Sequence, residues 1–350
     1  MIGQGSPKFE FLSNKLKNIR LLLMPLAWVY GISMALRNLL FDWNVFSSQR
    51  FSIQSIGVGN LSMGGTGKSV VVMYLIKFLK KRHRVATLSR GYGRTSRGVV
   101  VAGSEDDATT LGDEPNQFLE SHPETVVVVS EKRVLGMKTI EQLRPAPQVV
   151  LMDDVLQHRW VRPHLMILTS SYDRPFFKDF VFPAGNLREF RRGVHRADLL
   201  LITRTPRDLS PKQKTRYLNQ MAVNVPTFFT TIRYDNVLSQ KNQTLELEAL
   251  SKQGFVLVTG IADTRHLVAY LTKHYGAFEH LKYADHHAYS DSDVLKIEQQ
   301  AREKIILTTE KDFSKLAQKL PGDRLWCLKI ELDFVFEEER RQFERILSDI

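Results

Sequence analysis

The sequence predicts an α/β protein with two tandem α/β/α domains behind an apolar N-terminal segment. From Ser55 onward, short runs rich in Val, Ile and Leu alternate with stretches of helical length, a pattern typical of a parallel sheet covered on both faces. A second series of the same kind follows the polar stretch SQKNQTLELEA. We therefore expect an N-terminal segment at 1–45, a first domain at 46–228 and a smaller α/β domain at 229–350, joined around residues 225–239.

The elements follow in order along the chain. In the first domain the predicted strands are SIGVGN, RVATLSRG, TVVVVS, QVVLMDD, LMILTS and DLLLITR, with helices at 68–81, 114–121 and 132–143. In the second, the predicted strands are GFVLVTG, HLKYADH, KIILTTE and RLWCLKI, with helices at 264–275, 290–302 and 311–319. Thr309 and Asp312 have the spacing of a capping box, which predicts a helix start there.

Charge and cysteine content limit the classes of function. The 350 residues carry a net charge of +11, which suits nucleic acid, anionic lipid or a phosphorylated substrate, or simply a solubilising surface. Basic residues cluster in the first fifty positions and in NLREFRRGVHR (186–196), without RNA-binding or metal-finger signatures, so no nucleic-acid partner is expected. The single cysteine, Cys327, excludes an internal disulfide, fits a reducing compartment and is expected to be buried.

The N-terminal run LLLMPLAWVYGISMAL (21–36) carries no charge and is flanked by cations. It is shorter than the roughly 20 residues that span a bilayer, and Pro25 and Gly31 interrupt it. Trp28, Tyr30 and the flanking cations suit a segment that lies in the headgroup interface. An interfacial membrane helix is the preferred interpretation, and an ordinary buried helix is the alternative.

The stretch LSMGGTGKSVVV (61–72) predicts a phosphate loop, because a strand runs into glycines and then into an amphipathic helix. Backbone N–H groups in such a loop converge on phosphate oxygens at a helix N-terminus. Lys68 would reach the terminal phosphates and Ser69 would offer its hydroxyl to magnesium. The strict motif has a further glycine where this chain has Ser62. The predicted nucleotide-binding residues are Gly64, Gly65, Thr66, Gly67, Lys68 and Ser69.

An acidic strand end supplies the second component of such a site. Asp153 and Asp154 end the apolar strand QVVLMDD, where magnesium ligands are expected beside a phosphate loop. The predicted cofactors are therefore ATP and Mg²⁺, since no guanine-reading segment is apparent. Which aspartate contacts the metal stays open, as does the role of Arg90, which could bind phosphate or cover the end of the sheet.

Seven blocks resemble a known family. VGNLSMGGTGKS, LSRGYGR, LGDEPN, MDDVLQHR, FPAGNLREF, YADHHAYS and LTTEKDFSKL occur in the order seen in the tetraacyldisaccharide 4'-kinases, or lipid A 4'-kinases. The resemblance implies ATP-dependent phosphorylation of the 4'-hydroxyl of a tetraacylated glucosamine disaccharide 1-phosphate. It also implies a peripheral, monotopic position on the cytoplasmic face of a Gram-negative inner membrane, on its lipid surface, with no obligatory protein partner.

The resemblance also implies roles for individual residues. Asp113 matches the catalytic aspartate and is paired with His286. Lys68, also predicted to be catalytic, and Ser69 would hold the triphosphate and magnesium. Val155 and Ser69 depart from the family pattern, which usually has glycine and threonine there. A membrane-associated regulatory NTPase without a lipid acceptor is the alternative function. The residues expected near the metal, the transferring phosphate or the substrate are Asp153, Asp154, Arg90, Gln157, His158, Arg188 and Glu189.

Overall fold

The computed structural model describes residues 20–240, 243–261, 263–285, 287–320 and 322–350. The chain forms two compact units, each assembled from separate stretches. The first unit holds the described part of Met1–Lys68 together with Gln148–Thr231 and Phe334–Ile350, and the second holds Ser69–Pro147 and Ile232–Asp333. The boundaries at residues 45 and 228 stay a prediction.

Helices and strands alternate through most of the chain. The helices are α1 (Met24–Asp42), α2 (Lys68–Leu79), α3 (Ala108–Leu111), α4 (Asp113–Ser121), α5 (Arg133–Gln142), α6 (Pro211–Met221), α7 (Ala249–Gln253), α8 (Arg265–Tyr275), α9 (Asp291–Ala301), α10 (Glu310–Leu316) and α11 (Glu337–Ser348). The strands are β1 (Gln54–Asn60), β2 (Val85–Ser89), β3 (Val100–Val101), β4 (Val126–Val129), β5 (Val149–Asp153), β6 (Leu165–Ser171), β7 (Leu199–Thr203), β8 (Thr227–Gln240), β9 (Gln243–Glu246), β10 (Phe255–Thr259), β11 (Glu279–Lys282), β12 (Ile305–Thr309) and β13 (Leu325–Phe334).

All of the predicted strands and helices are present, with ends displaced by a few residues. The segment around 225–239, expected to join two domains, forms β8. Thr309 caps α10 by accepting a hydrogen bond from the Asp312 backbone N–H, as predicted. Cys327 is buried, also as predicted.

In the first unit the strands form a parallel array around β1. β1 pairs with β5 on one side and with β6 on the other, and β6, β7 and β8 continue in parallel. Every β1 residue from Ser55 to Asn60 is buried, because both faces of the array are covered, which explains the continuous apolar runs. The carboxyl ends of β1, β5, β6 and β7 therefore meet at one edge, where parallel sheets bind ligands.

In the second unit β10 pairs in parallel with β11 and β12, and β12 pairs with β13. β2 and β4 are also parallel, whereas β3 and β9 run antiparallel to β4 and β8. Two apolar clusters pack on the β10–β12 pair, one including Leu257 and Leu307 and the other including Val258 and Ile306. The predicted mixed α/β architecture with mostly parallel strands is confirmed.

Helix α1 is apolar on its exposed surface. Leu22, just before it, is 79% exposed, and Trp28, Val29 and Ile32 on the helix are between 59% and 68% exposed. Gly31 does not interrupt the helix, and an added Cβ atom there would lie 2.5 Å from Cζ of Phe190. No helix in the described ranges has both the length and the apolar character needed to cross a membrane.

Two glycines in β1 permit close packing against the residues that follow β5. A Cβ atom at Gly59 would lie 2.6 Å from Cβ of Leu156 and 2.9 Å from its backbone nitrogen. Val155, where the family resemblance leads one to expect glycine, packs in the same way over Gly57. The segment after β5 therefore lies directly on β1 because β1 presents no side chains at these two positions.

Gly59→Ala should lower the free energy of unfolding by about 1–3 kcal/mol, because the new methyl group meets backbone that cannot move aside easily. The measurement is the urea midpoint of unfolding. Gly103→Ala is the matched control, since a Cβ atom there meets nothing closer than 3.8 Å. Equal midpoints for the two variants would contradict the close approach at Gly59.

Candidate active site

The predicted phosphate loop connects β1, which ends at Asn60, to α2, which begins at Lys68. Gly64 and Gly67 have φ angles of +101° and +82°, a left-handed conformation that favours glycine. Ser69 follows Lys68 in the first turn of α2. The strand, glycine loop and helix thus stand in the predicted order, with the helix N-terminus at the end of the loop.

Thr66 anchors this loop to the sheet. Its Oγ1 accepts a hydrogen bond from Nδ2 of Asn60 at 2.9 Å and lies 2.7 Å from Oγ1 of Thr169. Its carbonyl accepts a hydrogen bond from Oγ1 of Thr203 at 2.8 Å. All four residues are buried. The side chain and carbonyl of Thr66 therefore hold the loop in place. Its backbone N–H is the group that would bind phosphate.

The two aspartates after β5 have different surroundings. Asp153 ends the strand and is 9% exposed. The Asp154 carboxylate accepts hydrogen bonds from Nη1 of Arg188 at 2.9 Å to both oxygens and lies 3.4 Å from Nζ of Lys68. Burial acts to raise the pKa of Asp154, but the charges of Lys68 and Arg188 outweigh it and hold the pKa below its usual value. The Asp154 carboxylate therefore forms ion pairs with both Lys68 and Arg188.

The oxygen donors at this edge fit magnesium. Mg²⁺ at a phosphate loop takes most of its ligands from phosphates and water, and only one or two from the protein. The described ranges contain no cluster of three or more His, Cys, Asp or Glu side chains placed to hold a metal. The Ser69 hydroxyl and the Asp153 carboxylate are hard oxygen ligands of the kind that Mg²⁺ prefers.

Glu189 is the centre of a buried hydrogen-bond network. Its carboxylate accepts hydrogen bonds from both Nη atoms of Arg196 (2.6 and 2.8 Å), from Nε2 of Gln157 (3.0 Å) and from Nδ2 of Asn38 (2.7 Å). Gln157 in turn accepts a hydrogen bond from Nη1 of Arg188 at 3.2 Å. Glu189 was expected near the transferring phosphate. Its lone pairs are engaged by protein groups, so it positions Gln157 and, through it, Arg188.

His158 lies in the turn that follows, half-buried, with its backbone N–H donating to the carbonyl of Val155 at 2.8 Å. Helix α1 reaches the same turn, because Nη2 of Arg37 donates to the carbonyl of Gln157 at 3.1 Å. Sequence reasoning missed Asn38, Arg37 and Arg196 as members of this network. Their contacts join residues far apart in the chain, so no local spacing marks them.

The second unit holds the remaining predicted residues. Asp113 is the first residue of α4, after Gly112 with φ +92°, and its carboxylate accepts a hydrogen bond from Nζ of Lys315 at 2.9 Å. Lys315 also donates to the carbonyl of His287 at 3.4 Å. His286 lies outside the described residues. Asp113 thus lies against the strand-to-helix segment LTTEKDFSKL of its own unit, one of the seven blocks of the family resemblance and, through Thr309, a predicted helix start.

Arg90 is exposed and follows β2. With Tyr92, Arg94 and Arg97 it lines a cavity of about 430 Å³. Arg94 is committed within the protein, since its guanidinium pairs with Glu131 and donates to the carbonyl of Gly98 at 2.7 Å. Arg90 therefore remains a candidate phosphate contact.

A parallel sheet whose central strand ends in a glycine-rich phosphate loop, with an acidic strand end beside it, defines a P-loop nucleotide-binding protein. Comparison with known proteins is more specific. A family model described as tetraacyldisaccharide-1-P 4'-kinase matches residues 19–350, and the chain belongs to that family.

Individual relatives agree with this assignment. A tetraacyldisaccharide 4'-kinase of Flavobacterium psychrophilum is 39% identical, over 92% of this chain and 94% of the relative. That of Flavobacterium johnsoniae is 37% identical over the same shares. Among solved structures, a crystal structure of LpxK from Aquifex aeolicus in complex with ATP matches with a TM-score of 0.75 and 29% identity, covering 94% of this chain and 98% of the other.

Glu189→Gln should lower the free energy of unfolding by about 1.5–3 kcal/mol, because the charge that Arg196 and Asn38 donate to is lost. The urea midpoint measures the change, and Glu303→Gln, at an exposed position, is the control. If both variants unfold at the wild-type midpoint, Glu189 is not the centre of the network.

Proposed function

We propose that the protein transfers the γ-phosphate of ATP to the 4'-hydroxyl of a tetraacyldisaccharide 1-phosphate, in a magnesium-dependent reaction. The main support is the position of Lys68, which lies at the N-terminus of α2, at the end of the glycine loop and beside the Asp154–Arg188 pair. The chain is also a member of this kinase family. Phosphoryl transfer depends on positioning and on charge stabilisation more than on covalent chemistry. A rigid loop with two cations beside it supplies both.

Each group at this edge has a proposed role. Loop N–H groups and Lys68 bind the phosphates, and Arg188 supplies a second cation near the transferring group. Magnesium, held by Ser69 and Asp153, would neutralise phosphate charge. We assign the metal to Asp153 rather than Asp154, since both oxygens of Asp154 already accept hydrogen bonds from Arg188.

Asp113 is the proposed acceptor of the proton of the sugar hydroxyl, a role that suits a positioned carboxylate late in transfer. Lys315, 2.9 Å away, fixes the direction of this carboxylate at the first turn of α4. His286 as its partner remains part of the proposal.

The decisive assay follows labelled γ-phosphate from ATP to tetraacyldisaccharide 1-phosphate in mixed micelles, with magnesium or with EDTA. We expect a bisphosphorylated lipid only with magnesium. Asp113→Asn should lower kcat by about 100-fold or more with little change in ATP affinity, because a general base contributes that much. Exposed Glu105→Gln is the control and should behave like wild type.

Two results would count against this function. Release of inorganic phosphate by folded protein without any lipid product would favour a regulatory NTPase. Loss of ATP binding in Asp113→Asn would mean that Asp113 binds the nucleotide and does not accept the proton of the sugar hydroxyl.

We also propose that α1 and the loop at 176–191 rest on a lipid surface at the cytoplasmic face of the inner membrane. Trp28, Val29 and Ile32 are exposed on α1. In the loop, Phe182 packs edge-on against Tyr30 of α1 with ring centroids 6.1 Å apart. Phe180, 45% exposed, lies under the guanidinium of Arg191 at 5.8 Å. Exposed aromatic rings interleaved with cations suit the boundary between headgroups and acyl chains.

The double variant Val29→Ser plus Ile32→Ser should bind vesicles containing anionic phosphatidylglycerol at least about tenfold more weakly, since each buried aliphatic side chain contributes 1.5–3 kcal/mol. Vesicle co-sedimentation measures the effect. Leu295→Ser, which removes a leucine 58% exposed on α9, is the matched control. Equal binding by both variants would place the lipid contact elsewhere.

A further inference from the structure

The end of β7 contacts the phosphate loop from the side away from β5. Thr203 is the last residue of β7, and its Oγ1 donates to the carbonyl of Thr66 in the loop at 2.8 Å. A Cβ atom at Gly67 would lie 3.6 Å from Cβ of Thr203. Arg204 follows, and a Cβ atom at Gly65 would lie 3.6 Å from its Nη2. The guanidinium of Arg204 thus lies next to Gly65, in the middle of the loop.

The backbone of Arg204 adopts an unfavourable conformation there. Its φ angle is +56°, a region in which the Cβ atom of an L-residue comes too close to the following carbonyl oxygen. Flanking contacts hold it in place: the carbonyl of Thr203 accepts from the N–H of Tyr172, and the N–H of Thr205 donates to the carbonyl of Thr230, each at 2.9 Å.

Asp154 provides a parallel on the other side of the loop. It too follows a strand directly, has positive φ (+48°) and places its side chain beside the loop, 3.4 Å from Lys68. Strained non-glycine residues that persist at a ligand-binding edge are a recognised mark of functional positions. Ala222 and Arg302 also have positive φ but follow helices, whereas Asp154 and Arg204 both follow strands and stand beside the phosphate loop.

We propose that Arg204 is a nucleotide-binding residue, whose guanidinium lies beside Gly65 and contacts the nucleotide held by the loop. The inference rests on the proposed use of ATP. Arg204 is half-buried, so its planar head can face both the loop and a ligand. A guanidinium can pair with phosphate oxygens or stack on a base, and either contact requires the arginine head.

The test is direct binding of ATP to the full-length protein by calorimetry, without lipid acceptor. Arg204→Gly should weaken ATP binding about tenfold or more, as expected for loss of a charge-assisted contact. The same variant should keep or raise the thermal midpoint, because glycine accepts φ +56° without strain. Arg204→Lys separates charge from planarity, and Arg207→Ala, an exposed arginine three residues further on, is the control.

Inorganic tripolyphosphate is the second probe. Equal weakening for ATP and tripolyphosphate in Arg204→Gly assigns the contact to the phosphates, and weakening for ATP alone assigns it to the nucleoside. ATP affinity unchanged from wild type, or lowered equally by Arg207→Ala, overturns the proposal and leaves the kinase function standing. A lower thermal midpoint with unchanged ATP affinity shows a structural role instead. If the wild-type protein does not bind ATP, both the proposed kinase function and the proposed role of Arg204 are wrong.

Discussion

The position of the phosphate loop depends on one buried threonine. A glycine-rich loop has many accessible conformations, and ordering it has a large entropic cost. Thr66 bonds to Asn60 on β1, Thr169 on β6 and Thr203 on β7, so three parallel strands fix the centre of the loop together. The location of Lys68, two residues later, follows from the register of these strands. A shift of any one strand would move the loop.

The charged residues around the loop are held in place by contacts within the protein. Asp154 holds Lys68 and Arg188 on one side, and Arg188 is held again by Gln157, which Glu189 orients. Fixed dipoles and charges stabilise a transition state without reorganising during the reaction, which is the main source of catalysis in phosphoryl transfer. Most of these groups bind one another. A large part of the site is therefore scaffolding built from charged residues.

Local sequence was enough to predict the strands, the loop and α2. Burial of both sheet faces requires continuous apolar runs, and positive φ in the loop favours glycine, so both features can be read from neighbouring residues. Local sequence was not enough for contacts between distant residues. Asn38 lies in an apolar helix and bonds to Glu189, and Lys315 lies 202 positions from Asp113. Periodicity carries no information on such pairs. Family resemblance pointed to Glu189 as a site residue, but only the folded chain shows that its carboxylate is occupied by its neighbours.

Helix α1 and the segment just before it are bonded to the loop at 176–191, with a consequence for protein production. Nε of Arg20 donates to the carbonyl of Pro183 and its Nη1 to Asn186, while Asn38 reaches Glu189 from the other end. Met63 in the loop donates to the carbonyl of Asn186. Deleting α1 with the segment before it would therefore remove contacts to the loop at 176–191, which is bonded in turn to Met63 of the phosphate loop. Replacing only the outward-facing apolar side chains of α1 would leave these contacts intact.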